Sequence, residues 1–246
     1  MFGKGVESMK VERYKRDHDH SYTLGATLTF ELMKCRPDLA LRVFICSDTQ
    51  MTDSTKELIA ICESHDVPVE KNDKAFNILS PKGNCYVIGM FRKEKQKIVA
   101  GDHLMFVNPS DAGNMGTILR TATGFGYKDI AIVTPAVDVY DPKTVRASMG
   151  ALFHVRVEYF DTIADYRKRF ENNHRYAFML TSSKDLEDVK PKAPYTLIYG
   201  NEATGLPEEY ADFCETVIIP ISREIDSLNL PMAAGISMYR FYRTKG

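Results

Sequence analysis

The sequence has no tryptophan and only five cysteines, Cys35, Cys46, Cys62, Cys85 and Cys214, an odd number with no Cys-x-x-Cys pair among them. Neither a disulfide framework nor a cysteine-held zinc site is expected, and the thiols read as reduced and mostly buried. No apolar run has the length needed to cross a bilayer, and the opening MFGKGVESMK has none of the apolar character of a signal peptide, so a soluble cytoplasmic protein is expected. An excess of either charge is missing too. The 32 Lys and Arg against 33 Asp and Glu leave a formal net charge of −1, so nothing global drives the chain onto nucleic acid, and any such binding must be local. The G-x-G-x-x-G and G-x-x-x-x-G-K-[ST] fingerprints are absent, as are internal repeats and low-complexity tracts.

What is present is a 246-residue chain with 44% apolar residues, enough for one large domain or two ordinary ones with a real core. Basic residues cluster at Lys4, Lys10, Arg13, Lys15 and Arg16, at Arg92, Lys93, Lys95 and Lys97, and at Arg240, Arg243 and Lys245. Such runs are more often solvated surface than a phosphate track. The stretch Asp17-His18-Asp19-His20 has metal-ligating residue types but no helical i, i+4 pair, and reads as an exposed polar turn.

Hydrophobic periodicity predicts an α/β unit first: a helix near 25–35, strands at 41–46, 67–70 and 85–91, and helices at 53–65 and 72–79. The charged run RKEKQK then marks a boundary near residue 97, giving domains 1–97 and 98–246. The second series places strands at 103–107, 130–133, 154–160, 176–181, 196–200 and 216–220, with helices between them and a last helix at the end. That alternation predicts a parallel sheet covered on both faces, with ligands collecting at the C-terminal ends of its strands.

Three segments fall at such ends. The first, NPSDAGNMGTILRTATGFGY (108–127), is a Gly- and Asn-rich turn feeding a helix whose apolar stripe is Met115, Ile118, Leu119 and Ala122, with Arg120 off the stripe. The second, LIYGNEATGLPEEY (197–210), sets Gly200, Asn201 and Glu202 directly after a strand. The third, IPISREIDSLNLPMAAG (219–235), poses a question. Pro231 fits only the first turn of a helix, so Asn229 is a natural N-cap, and Ser227 is then left without a structural task. Loops of this kind side by side make a polar pocket at an apolar sheet edge.

Taken in order and spacing, the three segments resemble the signature motifs of the SpoU/TrmH branch of the SPOUT superfamily of RNA ribose methyltransferases. The first motif is similar to Asn108-Pro109, Asn114, Gly116, Arg120-Thr121-Ala122 and Phe125-Gly126. The second is similar to Gly200-Asn201-Glu202 with Gly205-Leu206, and the third to Ile219-Pro220 with Ser227-Leu228-Asn229 and Ala233. Residues 146–151, RASMGA, resemble the family's R-A-S-x-G-A run. The resemblance covers about residues 100–246; the first domain is similar, more loosely, to the small α/β RNA-binding domain that often precedes such a catalytic domain. The loop 220–226, PISREID, departs from the family's usual Pro-Met and glycine.

The resemblance implies a parallel-sheet SPOUT domain with a deep trefoil knot, an exception to ordinary connection rules, and a homodimer with the site near the subunit interface. It implies transfer of the methyl group of S-adenosylmethionine to a ribose 2′-hydroxyl of ribosomal RNA, with transfer RNA as the alternative substrate. The methyl donor is activated by its own sulfonium charge, so no metal is required. By the same resemblance Arg120 is the catalytic arginine, oriented by Glu202, with Asn114, Ser227 and Asn229 completing the catalytic set. Thr181, Gly200, Ile219 and Leu228 are the expected cofactor-binding positions. Two rivals stand beside this reading: a non-catalytic RNA-binding protein that retains the SPOUT fold, and an unrelated Rossmann-type enzyme acting on a small molecule.

Overall fold

A computed structural model describes residues 10–80, 85–222 and 224–244 of the chain; Lys4, Lys245 and, in the third segment, Arg223 lie outside them. The chain divides into two compact units, the first ending at Lys93 and also taking in Tyr140–Pro142, the second comprising Glu94–Val139 and Lys143–Gly246. The division falls after Lys93 rather than near 97 because the charged run belongs to both sides. Arg92 ends a strand and the Lys93 amide donates to Asp19 O of the first unit, whereas the Gln96 side chain accepts from Val157 N at 2.8 Å and Ile98 N donates to Glu158 Oε2 at 2.8 Å in the second.

In the first unit the elements run β1 (His20–Leu24), α1 (Ala26–Cys35), β2 (Ala40–Ile45), α2 (Asp53–Ser64), β3 (Val69–Lys71), α3 (Asp73–Leu79) and β4 (Val87–Arg92). The sheet order is β1-β4-β2-β3, with β4 antiparallel to β1 and β2, and β2 parallel to β3. Alternate side chains sort the two faces: Phe44, Ile88 and Met90 join a cluster with Tyr22 and Phe76, while Val43, Ile45 and Val87 pack with Leu58 and Cys62. Strand β1 was not foreseen, and the exposed polar turn expected at 17–20 is corrected in part. His20 opens β1 at 6% exposure, its Nδ1 paired with Asp19 and its Nε2 3.1 Å from Tyr22 OH. Polar residues in alternation with Tyr22 hid a strand whose buried face is hydrogen-bonded rather than apolar.

The second unit runs β5 (His103–Val107), α4 (Ala112–Gly124), β6 (Asp129–Val133), α5 (Pro142–Ala147), β7 (Arg156–Phe160), α6 (Ile163–Arg169), β8 (His174–Phe178), β9 (Tyr195–Tyr199), β10 (Glu215–Val217) and α7 (Leu230–Arg243). All six strands are parallel, in the order β10-β8-β9-β5-β6-β7. Strands β5, β6 and β9 are buried along their whole length, as continuous apolar runs in a doubly covered parallel sheet should be. The β8–β9 and β9–β10 connections carry only short 3-10 turns, at Leu186–Asp188 and Glu208–Asp212, instead of full helices. Pro191, Pro194 and Pro207 lie in them and remove the donors a longer helix needs. Strand β8 ends at Phe178, three residues short of the expected end at Thr181.

Buried polar groups fix the N-terminal end of this sheet. His103 pairs through Nδ1 with Tyr166 OH and through Nε2 with Val99 O, both at 2.6 Å, and the same phenol meets Thr196 Oγ1 at 2.6 Å. Burial pushes the His103 imidazole below its ordinary value, so it stays neutral within the network. Among the described residues no helix is long and apolar enough to cross a membrane, and all five cysteines are free, Cys62 and Cys85 buried and the others half-buried.

One close approach sets how α4 sits. A Cβ on Gly116 would lie 2.3 Å from the Ala147 Cβ and 2.8 Å from Ser148 N, so α4 can touch the segment after α5 only through a glycine. Gly116→Ala is expected to cost about 1–3 kcal/mol through overpacking, read as a lower urea midpoint in far-ultraviolet circular dichroism. An unchanged midpoint would show that the two segments separate freely.

Candidate active site

At the C-terminal ends of β8, β9 and β10, the loops that follow these strands and the start of α7 enclose a cavity of ≈ 380 Å³. This is the strand-end position expected of a ligand site, beside the point where β5 and β9 are neighbours although the chain leaves them in opposite directions. One wall is aromatic. Tyr199 lies between Phe106 and Phe178, with ring centroids 5.1 and 4.9 Å apart and planes 15° and 7° from parallel. The Tyr199 hydroxyl meets Ser237 Oγ of α7 at 2.6 Å, which ties the last helix to the end of β9. Burial holds that phenol far above its ordinary value, so it remains protonated.

The loop after β9 is folded back on itself. Asn201 N donates to Gly205 O at 3.2 Å and Gly205 N returns to Asn201 O at 2.9 Å. A Cβ on Gly200 would sit 2.1 Å from the Gly205 carbonyl carbon, and Gly205 itself has φ 68°, so both glycines are required by the turn. Side chains then stitch this loop to the one after β5. Asn201 Nδ2 donates to Asn108 O at 2.7 Å, while its Oδ1 accepts from Ala203 N at 2.9 Å.

Glu202 completes the stitch. Its carboxylate accepts from Ser110 N at 3.2 Å, Ser110 Oγ at 3.0 Å, Asp111 N at 3.3 Å and Asn114 Nδ2 at 3.2 Å. Asp111 is the N-cap of α4 and accepts from Asn114 N at 2.7 Å, so two carboxylates share the positive end of that helix. Burial alone would raise the Glu202 carboxyl, but hydrogen bonds from its own backbone, Asn114 and Ser110 outweigh it and hold the group below its ordinary value.

Seven of the nine expected positions line the cavity together: Asn114, Gly200, Glu202, Ile219, Ser227, Leu228 and Asn229. The other two do not. Thr181 is exposed beyond the end of β8, and Met179 and Leu180 line the cavity in its place, because the strand stops earlier than its apolar run. Arg120 is exposed on α4 and makes no hydrogen bond or ion pair among the described residues; within the single chain Glu202 pairs with Ser110, Asp111 and Asn114 rather than with Arg120. Six residues along a helix turn a side chain about 120° away from Asn114 and carry it about 9 Å further on. Asn229 holds the N-cap position of α7, and its carbonyl accepts from Met232 N at 2.9 Å and Ala233 N at 3.0 Å, yet its side chain makes no capping bond. Both Ser227 and Asn229 are exposed at the cavity with side chains free for a ligand. The aromatic wall of Phe178 and Tyr199 was not foreseen, although an aromatic residue at the end of each of two neighbouring strands is a readable signal.

A sequence model of the SpoU rRNA Methylase family matches residues 102–239, more than half of the chain. The chain is 31% identical over 150 residues to a 23S rRNA (uridine(2479)-2′-O)-methyltransferase of Streptomyces viridochromogenes, covering 58% of this chain and 52% of that protein. It is 24% identical over 153 residues to a 23S rRNA (guanosine(2553)-2′-O)-methyltransferase of Bacillus subtilis, covering 59% and 60%. These matches span about half the length of the curated relatives. Among solved structures, an AdoMet-bound rRNA methyltransferase from Sinorhizobium meliloti superposes with a TM-score of 0.78 at 25% identity, covering 92% of this chain and 87% of that one. The SpoU methyltransferase AviRb of Streptomyces viridochromogenes, in complex with AdoMet, gives 0.80 at 21% identity over 92% and 91%, a likeness of fold.

The Glu202 clamp has a pH signature. A carboxyl held below its unfolded value stabilises the folded loop above that value, about 4.3, and loses this contribution as pH falls through the lower folded value. Ser110 and Asp111 amides are therefore expected to be protected from hydrogen exchange at neutral pH and released in acid, and to exchange faster at neutral pH in Glu202→Gln. Equal protection in the variant would remove the carboxylate from this role.

Proposed function

Because the chain belongs to the SpoU rRNA methylase family, we propose that it transfers the methyl group of S-adenosylmethionine to a ribose 2′-hydroxyl of RNA, with ribosomal RNA as the substrate. The observation that carries this reading is the charge of the cavity. Among the described residues that line it, the one ionised group is the Glu202 carboxylate, and no Lys or Arg is present. Such a field suits a ligand carrying a positive sulfonium and opposes a nucleotide phosphate. The volume and the mixture of apolar Leu180, Ile219 and Leu228 with polar Asn114, Ser227 and Asn229 also fit an adenosyl group joined to an amino acid.

S-Adenosylmethionine supplies, when bound, a methyl group already activated by its sulfonium. The chain's own part is to hold the reactants and to stabilise charge. Gly200, Ile219 and Leu228 are the backbone positions proposed to receive the adenosyl portion, while Ser227 and Asn229 hold the ribose at the mouth. A 2′-hydroxyl is a weak nucleophile whose proton passes to a phosphate of the RNA as the methyl–sulfur bond breaks and the methyl–oxygen bond forms, and a fixed cation stabilises the alkoxide that develops. Arg120 is proposed for that task because arginine stays protonated and acts as an electrostatic partner rather than a base. Glu202 is a positioning residue, fixing the N-terminal end of α4 on which Asn114 stands.

A homodimer is part of the same reading. Helix α7 leaves Met232, Ile236, Tyr239 and Tyr242 exposed at 58%, 38%, 53% and 50%, and the Phe125 ring lies 6.0 Å from Tyr239 and 5.7 Å from Tyr242. This apolar face at the C-terminal end of α4 supports self-association. An Arg120 that serves the cavity of a second copy is consistent with its exposure away from its own. The trefoil knot, an RNA-binding role for the first unit and a cytoplasmic location belong to the proposal as well. The non-catalytic alternative rests on the loop 220–226, whose sequence departs from the family pattern.

Isothermal titration with S-adenosylmethionine tests the cavity: the wild type is expected to bind and Leu228→Pro to lose binding, whereas a silent wild type would leave the non-catalytic reading standing. Arg120→Ala is expected to bind the methyl donor normally and to lose about 100-fold or more in turnover; retained turnover would dismiss Arg120 from the reaction. In sedimentation velocity the wild type is expected to run as a dimer and the double variant Ile236→Glu with Tyr239→Glu as a monomer. A monomeric wild type would end the dimer proposal.

A further inference from the structure

Arg146 has no task in the reaction as described above, yet it is exposed and makes no side-chain hydrogen bond or ion pair among the described residues. The turn that follows it is tightly held. Ser148 is fully buried, its Oγ donates to Val145 O at 2.8 Å, and the amides of Ser148, Met149 and Ala151 donate to Thr144 O, Arg146 O and Ser148 O. Within this rigid turn Met149 takes a left-handed backbone, φ 50°, and still leaves its side chain 47% exposed. A strained, exposed methionine in an ordered turn is the kind of outlier that points to contact with something outside the chain.

The turn is also placed beside Arg120. Gly116 meets Ala147 and Ser148, and Arg120 stands one helical turn after Gly116, about 40° round the same face of α4. Asn114 and Thr121 lie on the opposite side of Arg120, Asn114 toward the cavity and Thr121 toward Gly235 of α7. Arg146 directly precedes the Ala147 that Gly116 meets, so the two unpaired arginines stand on segments packed against each other, with the exposed Met149 in the same turn. The net charge of −1 offers no general attraction for RNA, so a local pair of this kind is where affinity can arise.

We propose that Arg146 is an RNA-positioning residue: it holds a backbone phosphate next to the ribose that Arg120 addresses, with Met149 packed against the adjoining nucleoside. The inference rests on the methyltransferase reading for Arg120, but phosphate binding by Arg146 has a readout of its own. A guanidinium presents a planar fork to phosphate oxygens, fixing register without reading sequence.

The test measures binding of an in vitro transcribed fragment of large-subunit ribosomal RNA as a function of KCl concentration. Wild type is compared with Arg146→Ala, Arg146→Lys and, as a control for removing any one surface charge, Lys128→Ala. Arg146→Ala is expected to bind about ten-fold more weakly, the scale of one charged hydrogen bond, and to reduce the slope of log K against log salt by about one. Arg146→Lys should restore the slope, because the charge returns, and Lys128→Ala should leave it unchanged. In turnover assays the loss should fall on KM for RNA, with S-adenosylmethionine affinity intact. An Arg146→Ala slope and affinity equal to wild type, or a loss matched by Lys128→Ala, would overturn the proposal. A wild type that binds RNA with the expected Arg146 dependence but does not bind S-adenosylmethionine would overturn the methyltransferase reading and leave the phosphate contact in place.

Discussion

The candidate site depends on one carboxylate whose oxygens are taken up by hydrogen bonds to a neighbouring loop and helix start. Glu202 bonds two backbone amides, a hydroxyl and the Asn114 amide, joining the loop after β9 to the start of α4. Neither loop has regular structure to define it, and backbone donors at a helix start need partners wherever they are taken out of water. Glu202 supplies those partners from the loop after β9, a strand that neighbours β5 in the sheet, so the sheet order is translated into a fixed separation between two loops. Asn201 repeats the connection one residue earlier through Asn108 O. These contacts hold the Asn114 side chain in place at the cavity.

Glycines serve the same end by permitting approach rather than by bonding. Gly200 allows the loop after β9 to close on Gly205, and Gly116 allows α4 to lie against Ala147. In each case the nearest atoms are close enough that any side chain would displace backbone. The motif positions that look like a catalytic signature thus include several whose task is geometric, and the groups left with unpaired polar atoms, Ser227, Asn229, Arg120 and Arg146, stand at the surface. This division separates a rigid frame from the groups available to ligands, as preorganised sites require.

The electrostatics of the second unit follow the same separation. The described residues lining the cavity present a carboxylate and no cation, while the exposed arginines of α4 and α5 lie outside it. The proposed methyl donor is positively charged and the proposed acceptor polyanionic, and the two would need opposite fields on separate surfaces. The proposed reaction therefore requires no global basic surface on this near-neutral chain.

Much of the architecture could be read from the chain. The alternation of apolar runs and amphipathic stretches located nine of the ten strands, and the stripe Met115, Ile118, Leu119 and Ala122 is fully buried as its spacing requires. Strand β1 escaped because it is buried on both faces and carries polar groups on each, His20 paired with Asp19 and Tyr22 on one and Ser21 with Tyr140 O on the other. The order of the three motifs named the family, and seven of the nine site residues expected from it line the cavity, since local spacing decides which residues follow a strand end. What local spacing could not decide is which groups face one another. Arg120 and Glu202 share a motif set but not a contact, because six residues of helix rotate one away while the sheet order brings Ser110 and Asn114 to the other. Residue types and periodicity are properties of neighbours along the chain, whereas partners across the cavity are chosen by strand order and helix phase, and only the folded chain expresses both.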